Sequence, residues 1–197
     1  MALPRPPLLF ISDRRIEIAE SALAGGCRWI SLREKQLAPA DRLALLRQLL
    51  ELAEPFGAVI TVHADVEAAR RAGAAGVHLP AGNEAGAARR ALGPDALIGL
   101  STHDEDEISR AARDGADYVT FSPIFTSPGK PGYGPALGIE ALREAARSGL
   151  PILALGGVTA ETAPDCLEAG ARGVAVMGAI AAAADPAAAA AGLIAAL

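Results

Sequence analysis

The chain reads as an α/β protein, a single-domain (β/α)8 TIM barrel over residues 1–197. Three observations predict it. First, four segments read alike: AGGCRWISL (24–32), AGAAGVHL (72–79), DGADYVTF (114–121) and AGARGVAV (169–176). Each closes a helical pattern, passes through a glycine and enters an apolar strand. Second, four more apolar strands fall between these repeats. Third, all eight are near-continuous apolar runs, as parallel strands covered on both faces must be. Strict alternation of strand and helix implies a parallel sheet, and eight units imply closure into a barrel. The rival, an open doubly wound sheet, is weakened because no G-x-G-x-x-G follows the first strand.

The elements follow in order. Leu8–Ser12 is the first strand, and the first repeat supplies the second. Pro39–Ala53 has the 3.6-residue period of a helix and leads to the strand Ala58–Val62. The second repeat ends in the fourth strand, Leu97–Ser101 is the fifth, and Asp104–Arg113 is the helix after it. The third repeat gives the sixth strand, Ile152–Leu155 the seventh and the fourth repeat the eighth. The Ala-rich end, Ala179–Leu197, contains Asp185 and Pro186 and reads as helix, not as a membrane span. The aligned glycines Gly25, Gly73, Gly115 and Gly170 stand 48, 42 and 55 residues apart, about two strand-helix units each. Each is expected to take the left-handed conformation that closes a helix.

Composition narrows function. A net charge of −5 argues against general nucleic-acid binding, and 4% aromatic residues leave few platforms for stacking bases. A local cluster of Lys, Arg and backbone N–H groups can still hold a phosphate on an acidic protein. Cys27 and Cys166 are far apart, with no CxxC pair, and read as free thiols in a reducing cytosol. The start, MALPRPPLLF, lacks the pattern of a signal peptide. The expectation is a cytoplasmic protein with a small phosphorylated ligand and no nucleic-acid or membrane partner. A homo-oligomer is compatible with it.

Function in such barrels sits where strands end and the following loops begin. Strand 2 ends in Leu32-Arg33-Glu34-Lys35, where Arg33 and Lys35 share a parity and can both face the mouth. With Lys130 they form a cationic rim. His63 ends strand 3, His78 lies in strand 4, and Ser101 ends strand 5. His103 follows it, just before the helix-starting acids Asp104–Glu107, and is the best acid/base candidate near neutral pH. His78, beside Leu79, reads as structural. The loop after strand 6, with Ser127 and Lys130, is rich in Gly, Pro, Ser and Thr and can expose backbone donors to a ligand. Gly156, Gly157 and Gly178 precede the last two helices, where N–H groups can bind phosphate. No pair of carboxylates has clear inward parity, so no metal site is expected; Asp65 and the Asp104–Glu107 run read as helix starts.

The strings WISLREKQL, GVHLPAG, IGLSTH, GADYVTFSPIFTSPGKPGYGPALG, ILALGGVT and GVAVMGAI resemble the thiamine phosphate synthase superfamily over nearly the whole chain. That superfamily includes the synthases, which join a pyrimidine methyl pyrophosphate to a thiazole phosphate, and the TenI-like proteins, some of them thiazole tautomerases. The resemblance implies a (β/α) barrel. It implies that Arg33 and Lys35 match a pyrophosphate-binding pair, Ser101 the strand 5 serine and Lys130 the strand 6 lysine. Gly157 matches the glycine whose N–H holds the thiazole phosphate. The departures fall on the metal site. The synthases carry Asn-Asp after strand 3, where this chain has His63-Ala64, and a further Asp after strand 4, where it has Asn83. Those two carboxylates hold the magnesium that neutralises the leaving pyrophosphate. Ser127 and Gly129 stand where the synthases have threonines. Leu79-Pro80-Ala81-Gly82 is similar to the Leu-Pro-Ser-Gly of TenI-like proteins, and His103 matches the tautomerase histidine, a match the synthases often share.

The expected function is therefore a TenI-like, metal-independent thiazole tautomerase with His103 as proton carrier and no cofactor. Two alternatives stand beside it. One is a synthase, with magnesium and with His63, Asp65 or Asn83 as substitute ligands. The other is a non-catalytic binder of thiazole or thiamine phosphate.

Overall fold

The computed structural model describes residues 3–126 and 134–197. Ser127 and Lys130 lie outside them. The strands are β1 (Leu8–Ser12), β2 (Trp29–Leu32), β3 (Val59–His63), β4 (Gly76–Leu79), β5 (Leu97–Thr102), β6 (Tyr118–Phe121), β7 (Ile152–Leu155) and β8 (Gly173–Val176). Between them run α1 (Ile16–Ala24), α2 (Pro39–Ala53), α3 (Val66–Ala72), α4 (Ala85–Leu92), α5 (Glu105–Arg113), α6 (Gly138–Ala146) and α7 (Ala163–Glu168). After β8 come α8 (Gly178–Ala181) and α9 (Pro186–Ala195). All neighbouring strands are parallel, and β8 pairs with β1 (Leu9 opposite Ala175), so the barrel is closed.

The predicted fold and the expected strand order are those observed. Asp65, Asp104 and Asp185 cap α3, α5 and α9, accepting from Ala68 N at 2.8 Å, Glu107 N at 2.7 Å and Ala188 N at 2.9 Å. Such caps satisfy amide donors that have no partner within the helix. The Ala-rich end is two helices, broken where Asp185 and Pro186 start α9.

One expectation about the glycines fails. Gly73, Gly115 and Gly170 have φ of 70°, 83° and 101°, but Gly25 sits at −73° and Gly26 at 96°. The left-handed turn after α1 is thus made by the second glycine of the pair. Gly25 is constrained by contact instead: a Cβ there would lie 2.2 Å from the Ala187 carbonyl oxygen of α9.

Period-two alternation divides each strand between two cores. Leu8, Phe10, Ile30, Leu32, Ile60 and Val62 pack outward against the helices. Leu9, Trp29, Leu97, Tyr118, Leu153 and Ala175 fill the barrel interior. Trp29 and Tyr118 meet edge to face at 4.8 Å between centroids and are fully buried, as barrel packing of Trp29 requires. Towards the strand C-termini the inward positions turn polar: Ser31, Thr61, His78 and Thr120 are all buried. The barrel is an apolar plug below and a polar floor above.

Candidate active site

On β2 the inward parity that carries Trp29 and Ser31 carries Arg33 next. Glu34, between the two cations, is turned away and buried. It accepts from Arg14 Nε at 2.9 Å and Nη2 at 3.3 Å, and from Gln36 N at 3.1 Å. That carboxylate, which sequence reasoning passed over, pins the segment displaying Arg33 and Lys35. Its partner is 20 residues upstream, so no local pattern announced it. Among the described residues neither Arg33 nor Lys35 joins an ion pair, whereas Arg14, Arg15, Arg42 and Arg89 all do.

At the end of β3 the charges are arranged differently. Asp65 caps α3 and also accepts from Arg42 Nε at 2.8 Å and Nη2 at 2.5 Å. Ala64 has a φ of 61°, the only positive value outside glycine among the described residues. Beyond β4, Asn83 donates its side-chain amide to the Pro80 carbonyl at 3.2 Å. A cavity of about 550 Å³ opens between these strand ends and α2 and α3, bordered by Lys35, Arg42, His63, Ala64, Asp65 and Arg71.

The histidines occupy separate settings. His78 is buried: Tyr118 OH lies 3.1 Å from its Nδ1, and Ser101 Oγ and Thr120 Oγ1 lie 3.1 and 3.3 Å from its Nε2. Burial, then His63 and Arg33, push its pKa down to about 3. His63 stacks on it at 6.1 Å and is half-buried. Burial, then the charges of Arg33 and Lys35, push His63 down to about 4. Both imidazoles are neutral at neutral pH and add no positive charge to that of Arg33 and Lys35. His103 stands apart, its Nδ1 2.8 Å from the Ser122 carbonyl oxygen. A carbonyl only accepts, so Nδ1 donates this hydrogen bond. Its backbone N–H donates to Glu107 Oε2 at 2.7 Å.

The structure thus gathers Arg33, His63 and Ser101 around His78, and sets His103 against the end of β6. It treats the glycines unevenly. Gly156 and Gly157 have φ of 96° and 67°. A Cβ on Gly157 would lie 2.4 Å from Thr126 O, and one on Gly156 2.8 Å from Pro123 Cα, so the chain after β6 lies directly on this pair. Gly157 does not abut a helix as expected: residues 158–162 separate it from α7. Gly178 is the first residue of α8, is exposed, and has nothing within 4 Å of a Cβ built on it.

The chain is thus a closed parallel barrel with cationic, hydroxyl and imidazole side chains at its strand ends, the end at which such barrels carry their sites. The comparisons make this specific: the family model "Thiamine monophosphate synthase" matches residues 7–180, and the chain belongs to that family. It is 39% identical over 188 residues to the thiamine-phosphate synthase of Roseiflexus castenholzii, covering 91% of this chain and 82% of that protein. It is 40% identical over 183 residues to that of Marinobacter nauticus, covering 88% and 82%. The structure of a thiamine phosphate pyrophosphorylase from Pyrococcus furiosus superposes with a TM-score of 0.85 at 28% identity, covering 96% of this chain and 94% of that one. Among the described residues, no helix is long and apolar enough to cross a membrane.

Proposed function

We propose that this chain couples a pyrimidine methyl pyrophosphate to a thiazole phosphate at the mouth of the barrel. The names of the relatives support this reading over the tautomerase expected from Leu79-Pro80-Ala81-Gly82. The observation that carries it is the pair of cations at the end of β2, held in place by Glu34 and, among the described residues, without a carboxylate of their own. A tautomerase has no pyrophosphate to receive them. In the coupling, the thiazole nitrogen lone pair forms the bond to the pyrimidine methylene carbon. The carbon–oxygen bond breaks, and its electron pair departs with pyrophosphate. Arg33 and Lys35 stabilise that charge as it develops, Arg33 through a guanidinium suited to bidentate contact. Ser101 donates a hydrogen bond to the same anion, and backbone N–H groups at Gly157 and Gly178 face the thiazole phosphate.

The magnesium implied by the family does not fit the donors at strands 3 and 4. Ala64 offers no ligand, Asp65 is taken by Arg42 and the α3 cap, and Asn83 is a neutral ligand for a hard cation. Among the described residues no three His, Cys, Asp or Glu side chains converge to hold a metal. The same departure favours a second reading: a proton shift on a thiazole carboxylate phosphate tautomer, with His103 as the proton carrier.

A paired assay separates the two. The purified protein is given both coupling substrates, with magnesium and with EDTA, and separately the non-aromatic thiazole tautomer. Thiamine phosphate formation supports the proposal; aromatisation of the tautomer without coupling overturns it. His103→Asn sharpens the result. It should cost tautomerisation roughly 10²- to 10⁴-fold if the imidazole is the acid/base group, and leave coupling nearly unchanged.

A further inference from the structure

The polar floor of the barrel holds a network that the proposed reaction does not by itself require. His78 on β4, Ser101 on β5 and Thr120 on β6 stand on three consecutive strands, with Ser101 and Thr120 paired in register. Tyr118 reaches His78 because β5 has no side chain in the way: a Cβ on Gly99 would lie 2.1 Å from the Tyr118 ring. Nearby, Thr61 Oγ1 lies 3.5 Å from the Ile30 carbonyl oxygen. His78, Tyr118, Thr61 and Thr120 are buried, and only Ser101 is partly exposed towards the mouth.

An imidazole that carries its proton on Nδ1 donates it to Tyr118 OH, 3.1 Å away. That leaves Nε2 with one lone pair and two hydroxyls beside it, Ser101 at 3.1 Å and Thr120 at 3.3 Å. Only one of them can donate to it fully at a time.

We infer that His78, protonated on Nδ1, and Thr120 are positioning residues that make Ser101 a switchable donor. With the mouth unfilled, Ser101 donates inward to His78 Nε2. When an anion arrives, Ser101 turns its proton outward to it, and Thr120 takes over the bond to Nε2. No buried nitrogen is left unpaired in either state, so the turn avoids the desolvation cost that would otherwise oppose binding. The inference rests on the reading that Ser101 faces a phosphorylated ligand. The ligand class it serves is a pyrophosphate or phosphate oxyanion.

The test is a double-mutant cycle read by calorimetric titration of inorganic pyrophosphate into the full chain. Thr120→Val removes the hydroxyl at nearly constant volume and should weaken binding about tenfold, the low end of what an unpaired buried polar group costs. Thr120→Ser keeps a hydroxyl and should bind within about twofold of the unaltered protein; equal loss in Val and Ser would mean that packing, not the hydroxyl, matters, and overturns the inference. In a Ser101→Ala background Thr120→Val should have no further effect, because no proton remains to be released. An additive loss in that background overturns it too. Unchanged affinity in Ser101→Ala, with affinity lost in Arg33→Ala, sinks the switch alone. Absence of pyrophosphate binding by the unaltered protein sinks the switch together with the coupling reaction.

Discussion

The ends of β2 and β3 both carry an acid beside an arginine, and they use the pair in opposite ways. At β2, Arg14 from the loop after β1 satisfies Glu34, and among the described residues Arg33 and Lys35 have no ion-pair partner. At β3, Arg42 and the α3 amides consume Asp65, and the neighbouring position is Ala64. One strand end exports charge; the other spends its charge on holding α2 and α3 together. What matters for chemistry is therefore not which charged residues stand at a strand end but which of them structure has already engaged.

The comparison is broken most directly at its open end. Arg33→Ala with Lys35→Ala should reduce pyrophosphate affinity by roughly 10² to 10⁴, since each removes a charge-assisted contact of about 1.5–3 kcal/mol. Each single variant should lie between, and melting temperatures should barely move, because neither side chain has an ion-pair partner among the described residues to lose. A fall in stability with unchanged affinity would reverse the assignment of the two strand ends.

The closed end should show the converse. Asp65→Ala removes a helix cap and leaves Arg42, whose side chain is 18% exposed, without its carboxylate. The loss should be about 2–4 kcal/mol in denaturant unfolding, cap and partly buried pair together. Asp65→Asn keeps a capping oxygen and should recover about 1 kcal/mol of it.

These assignments also show how much the sequence could reveal. The barrel was legible because its signals are local: a glycine after each helix, an apolar run after each glycine. Even the error at Gly25 was local, since a doublet offers two residues for one left-handed turn and only contact with α9 decides between them. At the site, strand parity placed Arg33, and strand-end position pointed to His63 and Ser101. It could not see that Arg14 engages Glu34, that Arg42 engages Asp65, or that Tyr118 and Thr120 meet His78, because those pairs lie 20 to 42 residues apart. The Gly156-Gly157 pair was read as a phosphate cradle from the sequence. The structure adds a packing reason for it, the chain that returns over β7.

Between the two strand ends lie the neutral histidines, and their signature is acid lability. The folded pKa values of His63 and His78 are lowered to about 4 and about 3, against roughly 6.5 unfolded. The unfolded chain thus takes up protons that the folded chain refuses. Stability is full above about pH 6.5 and falls as pH drops towards 4, by at most about 1.4 kcal/mol per pH unit for each histidine. His78→Gln should flatten the slope between pH 6.5 and 4.5, measured by urea unfolding. An unchanged slope would place the loss in carboxylates instead.

The smallest effect concerns the corner after β3. Ala64 holds a φ of 61°, a conformation that a residue with a Cβ adopts at a cost and that Gly, Asn and Asp adopt more readily. The backbone at this corner is therefore strained by the Cβ it carries, at a position where the synthases this chain resembles carry Asp. Ala64→Gly should stabilise the protein by up to about 1 kcal/mol, relief of strain outweighing the greater freedom of the unfolded chain. Ala64→Asp should match it in stability and, beside Lys35 and the cavity, supply the carboxylate that the β3 end lacks. Calorimetry with pyrophosphate present should then show magnesium binding tighter than in the unaltered protein. Equal magnesium affinity in both would mean that the closed end of the comparison is closed for reasons beyond one missing side chain, with the Arg42–Asp65 pair the next to alter.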